Sequence, residues 1–217
     1  MSNTDSFIDE VSEEVRRDRL YGLLRRYGWI AILAVVVLVG GAAVVEYQRA
    51  QQRAEAQAFG DALLAALAEN SPEVRRTALM EIDADGTRRA LVAMLAADRL
   101  EGDAAVAETR DALDAVASDA SLPQIYRELA VLKAAMIAQT TDAPQDVLDR
   151  LEPLTIPGAP YRLLAIEQQA IAHQRAGDTD EALALLQTIL GEDVATRDLR
   201  QRARQLIVAL GGTLDAA

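Results

Sequence analysis

The feature that most constrains this chain is the run from Gly28 to Val45, GWIAILAVVVLVGGAAVV, with no charged side chain between Arg26 and Glu46. As a helix its eighteen residues measure roughly 27 Å, close to the hydrocarbon thickness of a thin bilayer. Ten of them are Val, Ile or Leu, and at about −0.3 to −0.6 kcal/mol each on the insertion scale they outweigh the small penalties of Gly and Ala. The run is expected to span a membrane. Tyr27 and Trp29 flank one end and Tyr47 the other, where an amphipathic ring keeps its polar edge among the headgroups.

Two rival readings of this run are weaker. A cleaved signal peptide would use the small residues around Gly40 to Ala43, but the preceding region is long, carries six acidic residues, and the apolar run exceeds a signal core. A buried helix of a soluble protein would show a polar face, and this run has none. Orientation follows from arginine: Arg16, Arg17, Arg19, Arg25 and Arg26 precede the run, whereas Arg49 and Arg53 are the nearest bases after it. The positive-inside rule then keeps residues 1–26 in the cytoplasm and exports residues 47–217.

Ahead of the span, Phe7, Ile8, Val11 and Val15 recur at helical spacing and Ser6–Asp9 has the form of a capping box, so a short amphipathic helix is expected there. The stretch DSFIDEVSEEVRRDRLYGLLRRYGW, leading straight into the apolar run, resembles the opening of the ancillary SecYEG translocon subunit family of Gram-negative inner membranes, most closely its alphaproteobacterial branch. The resemblance covers about the first 60 residues well and the rest as a pattern. It implies a tetratricopeptide-like periplasmic domain, association with SecYEG and with membrane-bound periplasmic chaperones, and a part in handing exported polypeptides to folding factors.

Beyond the span the composition is that of packed helices. Aromatic residues make up 4% of the chain, hydrophobic residues 51%, and alanine alone about a fifth, which favours an all-α architecture over a sandwich or barrel. The helical pattern continues past Glu46, with Phe59, Leu63, Leu64 and Leu67 on one expected face, until Asn70-Ser71-Pro72 breaks it and Pro72 opens the next helix. A repeat follows: Tyr126-Arg-Glu-Leu-Ala130 returns 35 residues later as Tyr161-Arg-Leu-Leu-Ala165, and Gly102-Asp103 returns as Gly177-Asp178. A period in the mid-thirties marks a helix-hairpin array, here degenerate, with hairpins near 48–83, 86–118, 123–152 and 160–190 and a closing helix near 196–210.

The last copy fits a tetratricopeptide pattern best. Ala170 takes the small position of its first helix, Gly177 the turn, and Ala182, Leu186 and Ile189 the packing positions of its second. Elsewhere the pattern departs: Ile166 and His173 stand where a larger residue and a tyrosine are usual, and Asp98 takes that second position in the first full copy, leaving the register of 48–118 open. First helices line the concave side of such an array, which makes Leu129, Leu132, Met136, Leu164, Ile171 and Arg175 the candidate peptide groove; its apolar members equally suit a core.

Catalytic and metal readings find little support. The chain has no Cys and one His, which removes thiolate nucleophiles, Cys-ligated zinc and two-His metal sites. His173 occupies a packing position, and Asp83-Ala-Asp-Gly86 lacks a third acidic ligand and a closing Glu, so it reads as a turn. No cofactor motif is present. With 22 basic and 34 acidic residues the net charge is −12, which argues against nucleic acid as a partner; acidity beyond Glu46 serves solubility or attracts basic segments.

The expected function is therefore a non-catalytic, single-pass, inner-membrane scaffold facing the periplasm, an ancillary translocon subunit linking export to periplasmic chaperones, with exported polypeptides as further partners. The alternatives are a scaffold coordinating envelope growth or cell division and, from another class, a membrane-tethered hydrolase. Homo-oligomerisation stays open: Gly40-Gly41 permits close helix approach, but no Gly-x-x-x-Gly motif is present.

Overall fold

The computed structural model describes residues 3–97 and 102–213, with no side chains described for residues 1–24 and 31. The side chains of Arg16, Arg17 and Arg19 lie outside the described set, as does Asp98 altogether. Nine α-helices and one 3-10 turn make up the described chain, with no strand among the described residues: α1 (Asn3–Leu67), α2 (Pro72–Met80), α3 (Gly86–Ala96), α4 (Asp103–Ser118), α5 (Gln124–Ala138), α6 (Pro144–Leu151) continued by the turn Glu152–Leu154, α7 (Arg162–Ala176), α8 (Thr179–Gly191) and α9 (Arg197–Ala209). The all-helical expectation holds.

The chain divides into two compact units, Met1–Gly60 and Asp61–Ala217. The described residues of the first belong to α1, and the described part of its apolar stretch is exposed: Trp29 is 62%, Leu38 73% and Tyr47 69% exposed. A protein core helix buries at least one face, so this helix is not one. The stretch is long and apolar enough to cross a membrane by length and composition. Two local expectations change. Helix α1 is already under way at Asn3 and runs unbroken to Leu67, so Ser6 is an interior helical residue and not an N-cap, and no break separates a leader helix from the span. Near the end of α1 it is Ala66 that is buried, whereas Leu64 is 67% exposed and Leu67 38%, so the apolar face is rotated from the expected one.

In the second unit each helix packs on the next in sequence, and α5 also packs on both α3 and α7. The core is a chain of small clusters. One joins Ala90, Ala93 and Met94 to Leu113, Val116, Leu122, Ala130 and Ala134; the next joins Leu132, Ala135 and Ala138 to Val147, Leu151, Leu154, Ala165 and Ala172; the last joins Ile166 and Ala170 to Ala182, Leu186, Ile189, Ala195, Leu199, Ala203 and Ile207. Helix α5 contributes to the first two and α7 to the last two, so no cluster is closed without its neighbour. The alanines explain the composition, because a methyl group at a crossing point lets ridges seat in grooves at close axial distance.

The helix boundaries have local causes. Pro72 and Pro144 open α2 and α6 at the position where a missing N–H costs nothing, and Thr196 Oγ1 accepts the Leu199 N–H at 3.3 Å to cap α9. Helix α7 ends in a left-handed residue, Gly177, with φ of 89°; the Asp178 N–H donates to the His173 carbonyl at 2.9 Å and the Gly177 N–H to that of Gln174 at 3.1 Å. This Schellman pattern turns the chain into α8. Gly177→Ala, forced into the left-handed region, is expected to cost about 1–2 kcal/mol, and Gly177→Asn less; thermal midpoints followed by far-UV circular dichroism check the order Gly, Asn, Ala.

Ion pairs link helices of the second unit. Arg76 meets Glu108 at 2.6 Å, Arg110 meets Asp142 at 2.8 Å, and Arg162 meets Glu192 at 2.6 Å; Arg150 also meets Asp114. Their partners lie between 30 and 36 residues apart; the Arg76, Arg110 and Arg150 pairs join one hairpin to the next, whereas Arg162–Glu192 joins the start of α7 to the end of α8 within one hairpin. Each is partly exposed and contributes little singly.

Candidate binding groove

The faces of α5, α7 and α9 line a half-open groove of about 690 Å³. Its walls follow from helical spacing. Leu132 and Met136 are i,i+4 on α5; Leu164, Glu167, Gln168 and Ile171 share one face of α7; Arg202, Gln205, Leu206 and Ala209 share one face of α9. The three faces are in repeat register: Leu132, Glu167 and Arg202 stand 35 residues apart in turn, as do Met136, Ile171 and Leu206.

Four of the six residues expected in a groove, Leu132, Met136, Leu164 and Ile171, line this one. Leu132, 3% exposed, forms its floor and belongs to the core, while Met136 stands 49% exposed at its edge. Leu129 and Arg175 do not line it. Leu129, partly buried, packs against the clusters on both sides of α5 rather than lining the groove. Arg175 reaches back to the end of the preceding hairpin, donating to the Asp142 carbonyl at 2.8 Å and to Gln139 Oε1 at 3.4 Å; it fastens α7 to the α5–α6 turn.

The charged part of the groove is one pair. Arg202 Nε donates to Glu167 Oε1 at 2.7 Å and Nη2 to Oε2 at 2.8 Å, a bidentate fork. Glu167 is 5% exposed, so its charge is neutralised within the wall. The hydrogen bonds to Glu167, opposed by burial, hold the Arg202 guanidinium above its already high ordinary pKa. The sequence reading missed this pair, although opposite charges at equivalent positions one period apart are its signature.

A second groove of about 800 Å³ lies beside it, formed by 157–164 with Glu192, Val194, Thr196, Asp198, Leu199 and Arg202. Leu164 and Arg202 line both. Burial, helped by Glu128 and Tyr126, raises the pKa of the Tyr161 phenol at this second site.

The repeat-packing residues fall together: Ala170, Ala182, Leu186 and Ile189 share the α7–α8–α9 cluster, and Gly177 makes the turn. His173 Nδ1 stands 3.5 Å from Asp178 Oδ2 across that turn. Residues 83–85 form an irregular segment ahead of α3, and among the described residues no cluster of three or more His, Asp or Glu is arranged to hold a metal. At the apolar helix, Arg26 lies 5.9 Å from the centroid of the Tyr27 ring, within cation–π reach. Compared with protein-family models, curated proteins and solved structures, the chain matches none.

Proposed function

We propose that this protein is a non-catalytic, membrane-anchored interaction scaffold whose second unit is a degenerate tetratricopeptide-like array that holds polypeptide in the α5–α7–α9 groove. The observation carrying the reading is that groove: about 690 Å³, apolar apart from two amides and a self-neutralised ion pair, and built at repeat-equivalent positions. That volume falls within the range of ordinary binding sites. The exposed apolar stretch of α1 is the anchor, and the arginine bias places the array in the periplasm with the N-terminus inside. Confinement to the membrane plane raises the effective concentration of array and partner. The partners themselves, SecYEG and membrane-bound periplasmic chaperones, rest on the family resemblance, which covers about the first 60 residues well and the rest as a pattern.

The test is crosslinking in living cells from photoreactive residues at Met136 and Ile171, with the adducts identified. Translocon subunits, chaperones or exported polypeptides are expected. Recovery of division or wall-synthesis proteins without any translocon component transfers the scaffold to that process, and no adduct from either position overturns the groove as the working surface. Protease added to spheroplasts is expected to digest residues 47–217; protection overturns the orientation.

A further inference from the structure

We infer that the Glu167–Arg202 pair makes the groove select polypeptide segments that are uncharged as well as apolar. The inference rests on the reading that polypeptide occupies this groove, and it adds the chemical class of segment and the residues that set it. Two opposed electrostatic terms decide the matter. The chain carries −12, a field that favours basic segments at a distance, but free charges beyond about 8 Å are screened at physiological salt. Among the described residues, the charged side chains lining the groove are Glu167 and Arg202, and they pair through both carboxylate oxygens. An entering Lys, Arg, Asp or Glu therefore sheds part of its water against a largely apolar lining that offers no free counter-charge, which is unfavourable. Contact desolvation outweighs the screened field. The remaining polar lining groups, the Gln168 and Gln205 amides, carry donors and acceptors suited to main-chain amides, which an acyl chain lacks.

Breaking the pair should redirect the preference. Glu167→Gln keeps the side-chain shape but leaves the Arg202 guanidinium only the weaker influence of Asp198, so the groove becomes more cationic and admits acidic segments. Replacing both residues by Leu restores neutrality without an ion pair, at a site where Glu167 is buried and Arg202 about half exposed.

The experiment uses the full chain in phosphatidylcholine nanodiscs, with empty nanodiscs subtracted, and labelled, end-capped peptides of Leu, Met, Ser and Gly in three versions: uncharged, with two Lys, and with two Glu. Circular dichroism confirms that each variant is folded. The wild type is expected to bind the uncharged peptide at least about tenfold more tightly than either charged one. Glu167→Gln is expected to shift the ratio toward the Glu peptide by about tenfold, and the double Leu variant to return it. Equal affinities, or a preference for the Lys peptide, overturn the inference. So does uncharged-peptide binding that survives Ile171→Asp, because the site is then elsewhere. If no peptide binds although Met136 and Ile171 crosslink to polypeptide in cells, this inference falls and the scaffold reading stands; if the crosslinks are also absent, both fall.

Discussion

Arginines placed together at Val37 and Leu38 are expected to move the protein from the membrane pellet to the supernatant after an alkaline wash. Each replacement removes an aliphatic residue worth about −0.3 to −0.6 kcal/mol and installs a cation costing about 2.5–3.5 kcal/mol at a helix centre, so the pair costs roughly 6–8 kcal/mol. The ten branched aliphatics of the stretch supply only about −3 to −6 kcal/mol in total, and the sign of insertion reverses. The residues are well chosen, since Val37 is 64% and Leu38 73% exposed in α1 and no protein packing is lost with them. Arginine keeps its charge through the wash, because its pKa exceeds 12. Membranes cleared of aggregates, washed and immunoblotted provide the readout. The control Val37→Leu with Leu38→Ile stays in the pellet. Retention of the arginine variant would show that something other than this stretch holds the protein to the bilayer.

The elements most readily read from the sequence are those whose ends are fixed by one residue's covalent geometry. Pro72, Pro144 and Gly177 punctuate the chain through missing N–H groups or a left-handed turn, and these are local effects that need no knowledge of neighbours. Glycine misleads in the opposite direction: Gly28, Gly40 and Gly41 are carried inside α1 without a break, and so is the cap-like Ser6. Which face a helix buries is less legible than its period. Leu64 and Ala66 differ by two residues, and only packing decides that the small side chain is buried and the large one is 67% exposed.

The groove was half legible for the same reason. Register alone brings Leu132, Met136, Leu164 and Ile171 to one side, since spacing within α5 and α7 and the 35-residue period are sequence properties. The contribution of α9 depends on how the closing helix packs on α8, and that angle is set by side-chain ridges along the whole contact. Arg202 is therefore invisible as a groove residue until Glu167 is seen 2.7 Å from it. Leu129 fails in the other direction: it has the right register, yet it packs, partly buried, against two adjoining clusters and does not line the groove.

Leu186→Ala is expected to destabilise the second unit by about 2–5 kcal/mol, toward the upper end of that range. Leu186 is 1% exposed on α8, between Ala182 and Ile189, and its cluster draws on Ile166 and Ala170 of α7 and Leu199, Ala203 and Ile207 of α9. Three of those neighbours are alanines, whose positions are fixed by the backbone, so little can relax into the space left by the lost side chain and the cavity persists. Against a typical domain stability of about 5–15 kcal/mol this is a large fraction. The urea midpoint should fall by roughly 1–2 M, whereas Leu64→Ala, at a 67% exposed position, should stay within about 0.5 kcal/mol of wild type. Far-UV circular dichroism of the full chain is the appropriate probe, because the single tryptophan, Trp29, lies in the apolar stretch of α1. Hydrogen exchange adds a sharper reading. In an array held by neighbour contacts, damage to one cluster spreads only as far as the interfaces are strong, so amides of α7, α8 and α9 should lose protection before those of α3, α4 and α5. Simultaneous loss in both sets would mean that α5 and α7, each shared by adjoining clusters, couple the unit into one cooperative block.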